Sequence, residues 1–152
     1  YRAAAGYLSG RPDDEYTGNL ETIRLPYKVD GKLRAFPIKG DSMLPIPSGS
    51  YVIGKFVERT SELKSGKLYI IVTKEPEIVF KRVYNQIQKN GLLLMESLNP
   101  FYQPYTIPAD QIMQAWQYVA YISNDEPSDT LISMQQVMDK LEEISKKIET
   151  IS

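Results

Sequence analysis

The run Leu68-Tyr69-Ile70-Ile71-Val72 constrains this chain most. Five successive apolar residues without helical spacing suit a strand buried on both faces, not the half-buried strand of an open hairpin. A strand covered on both faces requires further layers, and its neighbours supply candidates. Tyr51 to Val57, Ile78 to Tyr84 and Ile112 to Ile122 are rich in β-branched and aromatic residues. Thr22 to Pro26 and Ala35 to Lys39 read as shorter strands. Asp30-Gly31, between Tyr27–Val29 and Leu33–Phe36, predicts a hairpin turn. Asn90-Gly91 predicts another between Tyr84–Gln88 and Leu92–Met95. Glu62 to Gly66 and Glu75-Pro76-Glu77 read as turns. The expected fold is mainly β: a bent antiparallel sheet or partial barrel of roughly seven to ten short strands, with one C-terminal helix.

Composition narrows the chemistry. The chain has 152 residues, 42% of them hydrophobic, enough for one domain with a core. A net charge of −1 gives no broad electrostatic footprint for nucleic acid. There is no cysteine, which fits a reducing cytoplasm and removes disulfides, thiolate metal sites and thiol nucleophiles. There is also no histidine, so a Ser-His-Asp triad and a histidine metal site are both impossible. A nucleophilic serine here needs a lysine, a carboxylate or an amino terminus as its base. No cofactor or metal is expected. No apolar run reaches the ~20 residues of a membrane span, so no membrane association is expected. The start at Tyr1 instead of Met leads us to expect a fragment or processed form.

One stretch has the setting that nucleophilic chemistry needs. Ile38-Lys39-Gly40-Asp41-Ser42-Met43-Leu44-Pro45-Ile46-Pro47-Ser48-Gly49 places Ser42 between a glycine turn and a proline-bounded loop. Downstream, Val79, Lys81 and Val83 alternate onto one face of a strand. A lysine between two valines is desolvated, which lowers its pKa and favours the neutral amine a general base requires. The competing reading has Lys81 snorkel to water over apolar surface. Arg82 beside it stays protonated and cannot serve as a base. Upstream, Ala3-Ala4-Ala5-Gly6 is small and open to close backbone approach. It reads either as a loose terminal tail or as a scissile segment.

Gly40, Asp41, Ser42, Met43, Pro45 and Gly49 resemble the nucleophile segment of the LexA-like self-cleaving repressors, which include UmuD-type proteins and phage repressor C-terminal domains. Lys81-Arg82 resembles the strand that carries their lysine base, and Ala5-Gly6 the bond they cut. Ser97-Leu98-Asn99-Pro100-Phe101-Tyr102-Gln103-Pro104 resembles their Ser-x-Asn-x-x-(Tyr or Phe)-x-Pro loop, expected here to be structural, its aromatics covering one end of the sheet. The resemblance runs from Ala5 to about Ile122. It implies a catalytic Ser42–Lys81 dyad, scission at Ala5-Gly6, backbone donors near Ser42 for the oxyanion, and Asp41 and Met43 as support for oxyanion and cleft. It also implies a homodimer, an upstream helix-turn-helix DNA-binding domain missing from this chain, and a RecA filament as co-protease in an SOS-type response. The strand Ile112 to Ile122, with Trp116, Tyr118 and Tyr121, is then either a dimer surface or a core strand. Two rivals keep the fold: a non-cleaving dimerisation and sensing module of a transcription factor, and a signal-peptidase-like protease acting in trans.

The tail lies outside the resemblance. Asn124-Asp125-Glu126-Pro127-Ser128 reads as a linker with a helix N-cap at Ser128 or Asp129. Met134, Val137, Leu141, Ile144, Ile148 and Ile151 then recur at alternating steps of three and four, a heptad seam. Glu142–Lys146 and Glu143–Lys147 are favourable pairs off the seam. The seam reads as a coiled coil that dimerises the protein, or as a helix packing back on its own domain. The expected organisation is a scissile segment and hinge over 1–20, a LexA-like β domain over 21–123, a linker over 124–128 and the helix over 129–152.

Overall fold

A computed structural model describes residues 2–5, 22–127 and 130–151. The chain forms β1 (Arg2–Ala5), β2 (Thr22–Arg24), β3 (Leu33–Pro37), β4 (Tyr51–Val57), β5 (Lys67–Thr73), β6 (Ile78–Gln86), a single helical turn α1 (Ile87–Asn90), β7 (Leu92–Glu96), β8 (Tyr105–Pro108), β9 (Ile112–Ile122) and α2 (Thr130–Ile151). The strands make one open sheet in the order β2-β1-β3-β4-β9-β5-β6-β7-β8. Every neighbouring pair is antiparallel except β1–β3, which is parallel. The mainly β expectation holds, with the sheet bent but unclosed.

Two register shifts help to bend it. One falls between Ile53 and Gly54 where β4 meets β9, the other between Val72 and Thr73 where β5 meets β9. An extra residue on one strand kinks the ladder and increases its twist. The long central β9 therefore carries a break toward each neighbour. The bent sheet encloses two main apolar clusters. One gathers Phe36, Met43, Ile46, Val52, Ile70, Val72, Phe80 and Trp116, and the other includes Leu63, Tyr69, Ile71, Val83, Leu93 and Met95. Tyr69 and Ile71 face one cluster while Ile70 and Val72 face the other, and all four are buried. That is the arrangement the apolar run of β5 demands. Trp116 of β9 is a core residue, fully buried with Phe36 and Phe56 packed edge-on against it at 5.3 and 5.1 Å.

Two local expectations are corrected. Tyr27–Val29 forms no strand, so Asp30-Gly31 does not close a hairpin. The edges of β3 are already taken, by β4 on one side and β1 on the other, and no ladder is left for Tyr27–Val29. Gly31 still turns the chain, at a φ of 105° that other residues rarely adopt. Beyond β6, Ile87–Asn90 coils into one helical turn instead of extending the strand. Asn85 accepts from the Ile87 N–H through its side chain, and Gly91 ends the turn at a φ of 74°. β6 and β7 remain antiparallel neighbours.

Along its described side chains, 135–151, the apolar seam of α2 is open. Val137, Leu141, Ile144, Ile148 and Ile151 are all exposed. For the side chains described, 135–151, the reading of a helix packed back on its own domain is not realised.

Candidate active site

The Ser42 loop is fixed by its own backbone. It leaves β3 through Ile38, whose N–H donates to the Ser50 carbonyl at 3.0 Å and whose carbonyl accepts from the Gly49 N–H at 2.9 Å. Gly40 and Gly49 make the entry and exit turns at φ of 91° and 87°, values that disfavour a Cβ. The Gly40 N–H donates to Ser48 Oγ at 2.9 Å, and the fully buried Ser50 donates its hydroxyl to the Pro47 carbonyl at 2.7 Å. Between the turns, Met43 and Ile46 sink into the apolar cluster around Trp116, each 4% exposed. Burying a side chain of that size contributes roughly 1.5–3 kcal/mol. The loop is thus pinned on both sides of Ser42 and not free to swing.

Lys81 approaches from β6, paired across the sheet with Tyr69 and one residue beyond the buried Phe80. It is 8% exposed, and its Nζ lies 2.9 Å from Ser42 Oγ. Burial holds its pKa below the ordinary lysine value, because desolvation penalises the ammonium. The snorkelling alternative is not what Lys81 does. Arg82 instead lies half-exposed, 3.5 Å from Glu96 of β7. The geometry brings an alcohol and a desolvated amine within proton-transfer distance, with no histidine in the chain to share the task.

A third element, invisible as chemistry in the sequence, ties the two together. The loop after β7 reaches back over the Ser42 loop. The Asn99 N–H donates to the Ser42 carbonyl and its side-chain amide donates to the Asp41 carbonyl, both at 3.0 Å. Asn99 Oδ1 accepts in turn from the Phe101 N–H. The Leu98 N–H points at Met43 Sδ, and the Tyr102 hydroxyl donates to the Asp41 carboxylate. That bond, above all, raises the Tyr102 pKa, since losing the proton would set two anions side by side. The expected role of this loop as an aromatic cover is corrected: Phe101 is 78% exposed, and Tyr102 and Tyr105 are also open. Its bracing work falls to Asn99, which is buried, and to the Tyr102 hydroxyl. The signal in the sequence was a polar Asn beside Pro100 in an aromatic loop, whose partners lie 58 residues away in the chain.

A cleft of about 380 Å³ opens beside the pair. It is lined by residues 36–40, which run into Ser42, by Met43 and Ile70, and by residues 78–81 of β6. Met43 is therefore both core and cleft floor, while Asp41 serves as the brace point for Asn99 and Tyr102. Ala5 ends β1 opposite Ala35 of β3, short of the stretch that lines the cleft. Gly6, the other half of the expected scissile bond, lies outside the described residues, as does the hinge that follows it. Among the described residues, no helix is long and apolar enough to cross a membrane.

No curated protein matches the chain. The family model described as Peptidase S24-like, the family of LexA, UmuD and phage repressor C-terminal domains, matches residues 1–120, which hold β1 to β8, the Ser42 loop, Lys81 and most of β9. With most of its length matched and a mainly β serine-peptidase-type fold around the match, the chain belongs to the Peptidase S24-like family.

Proposed function

We propose that this chain is the C-terminal domain of a LexA-like or phage-repressor-like transcriptional regulator that cuts itself between Ala5 and Gly6 with a Ser42–Lys81 dyad. The observation that carries the reading is the 2.9 Å contact between a desolvated Lys81 Nζ and Ser42 Oγ. Neutral Lys81 takes the Ser42 hydroxyl proton as Oγ bonds to the Ala5 carbonyl carbon. The carbonyl oxygen becomes an oxyanion, held by backbone N–H groups of the Ser42 loop. The C–N bond then breaks, and Lys81 passes its proton to the Gly6 nitrogen. This leaves an Ala5 ester on Ser42 and a new amino terminus at Gly6. A water attacks the ester while Lys81 accepts its proton, and that proton returns to Ser42 Oγ. Because the substrate is attached, delivery of the loop, not capture, controls the rate.

The proposed setting, by resemblance to the family, is a homodimer in the cytoplasm with a DNA-binding helix-turn-helix domain upstream and a RecA filament that promotes cleavage. Tyr51 and Ile122, a cross-strand pair at the end of β4 and β9, are both exposed and offer apolar surface for the dimer. Cutting between the DNA-binding and dimerising parts would weaken operator binding, since two linked half-sites bind far better than one.

A second reading has its own support: Ala5 is held in a strand pair opposite Ala35 and is not among the residues that line the cleft, which suits a domain that acts on separate peptides or only assembles a regulator. One experiment separates these. The purified chain is incubated from pH 7 to pH 10 and read by intact mass, beside Lys81→Ala and Ser42→Ala. Self-cleavage predicts a fragment beginning at Gly6. Its rate should rise roughly tenfold per pH unit while Lys81 is protonated, then level off once the amine is neutral. Lys81→Ala should slow it by about 10²–10⁴-fold, and Ser42→Ala should stop it. A wild-type chain that stays whole while cutting an added peptide spanning Ala5-Gly6 favours action in trans. A chain that cuts neither favours the non-cleaving module.

A further inference from the structure

We propose that α2 joins four copies of this chain in a parallel four-helix coiled coil. The inference goes beyond the cleavage reading and does not depend on it. The apolar seam of α2 is left open: Val137 is 57% exposed, Leu141 61%, Ile144 44%, Ile148 63% and Ile151 85%. A helix of this length with an uncovered apolar stripe is marginal in water, so its stability calls for a partner. The sheet domain supplies none along the described side chains. The occupant best matched to a heptad seam is a second helix with the same seam.

Charge decides the orientation. With Leu141 and Ile148 at the a positions and Val137, Ile144 and Ile151 at d, Lys140 and Lys147 fall at g while Met138 and Ser145 fall at e. In an antiparallel pair, g faces g, so Lys140 of one helix would meet Lys147 of the next at both ends of the contact. In a parallel arrangement, g faces e, and each lysine meets an uncharged side chain. Glu143 completes the picture from the same helix: its carboxylate lies 3.4 Å from Lys140 and 3.5 Å from Lys147. Both lysines are matched within the helix and need no carboxylate across the seam.

Side-chain shape decides the number. Parallel two-stranded coils prefer β-branched residues at a and Leu at d. Here d is β-branched throughout, while a carries Met134, Leu141 and Ile148. Leu at a with Ile at d shifts preference toward three or four strands. Met138 at e is 54% exposed and widens the stripe on one flank, which a four-helix core can cover and a two-helix seam cannot.

The test uses the full chain carrying Ser42→Ala, so that it remains whole. Sedimentation equilibrium should give four times the chain mass. Ile144→Asp should reduce it to two copies if the sheet domain dimerises as proposed above, or to one if that dimer reading fails; either fall supports the tail bundle. A species of two copies in the parent, or a mass that Ile144→Asp leaves unchanged, overturns it. For orientation, the chain's lack of cysteine makes single introductions clean. Ile151→Cys chains should oxidise to 151–151 disulfides. Mixed Met134→Cys and Ile151→Cys chains should not cross-link to each other, because those positions stand roughly 25 Å apart along a parallel bundle. Efficient 134–151 linkage without 151–151 linkage would mean antiparallel packing and overturn the proposal.

Discussion

Asn99 shows how much of the candidate site is held by a residue that touches neither reacting atom. Its backbone and side chain bond the carbonyls of Ser42 and Asp41 at once, so it positions the proposed nucleophile through the loop that carries it. Asn99→Ala leaves the Asp41 carbonyl and the Phe101 N–H without these partners, a loss of about 1–3 kcal/mol. Urea unfolding should register that loss. The proposed self-cleavage should also slow, while the pH at which its rate levels off stays where it was. A shifted midpoint would mean that Asn99 acts through Lys81 and not through the loop. Ser42 sits in a glycine and proline frame that marks it locally, whereas a lysine between valines is equally open to snorkelling, and it is the resemblance of Lys81-Arg82 to the LexA-like strand that singles Lys81 out. In the sequence Asn99 is only part of a structural loop, because the carbonyls it bonds come from a distant stretch of the chain.

At the scale of elements, strands read well where both faces are apolar and poorly where neighbours compete. β5 announced itself through an apolar run that has no other comfortable home. Tyr27–Val29, with a tyrosine and a valine around Lys28, also suits a strand, yet it has no ladder because β1 occupies the edge it would use. Gly54 makes a similar point inside β4. A Cβ built there would stand 2.7 Å from Trp116 Cβ and 3.1 Å from Ile70 Cδ1. The glycine lets β4 and β9 close over the buried tryptophan beside the register shift. Gly54→Ala should therefore destabilise the domain by about 1–3 kcal/mol through overpacking, visible in thermal unfolding together with a change in Trp116 fluorescence. An unchanged midpoint would show that the strand can slide to make room.

Across the whole molecule, the exposed seam of α2 predicts that the tail adds little to the stability of the sheet. Because the described seam of α2 is exposed, removing residues 124–152 should change the intrinsic stability of the sheet domain by less than about 0.5 kcal/mol. Dilution well below the assembly range, followed by thermal unfolding of the full and shortened chains, tests this. A large fall would reveal contacts between tail and sheet. What the sequence determined by itself was a β domain from its apolar runs, the Ser42 loop from its glycine and proline frame, Lys81 from the strand that resembles the family's, and a helix from its heptads. What only the tertiary structure decided was which of these patterns meet. Hydrogen bonds from Asn99 and Tyr102, the edge taken by β1, and the 2.9 Å approach of Lys81 to Ser42 all join residues far apart in the chain. Such contacts arise from the packing of the whole sheet, and no short stretch of sequence contains them.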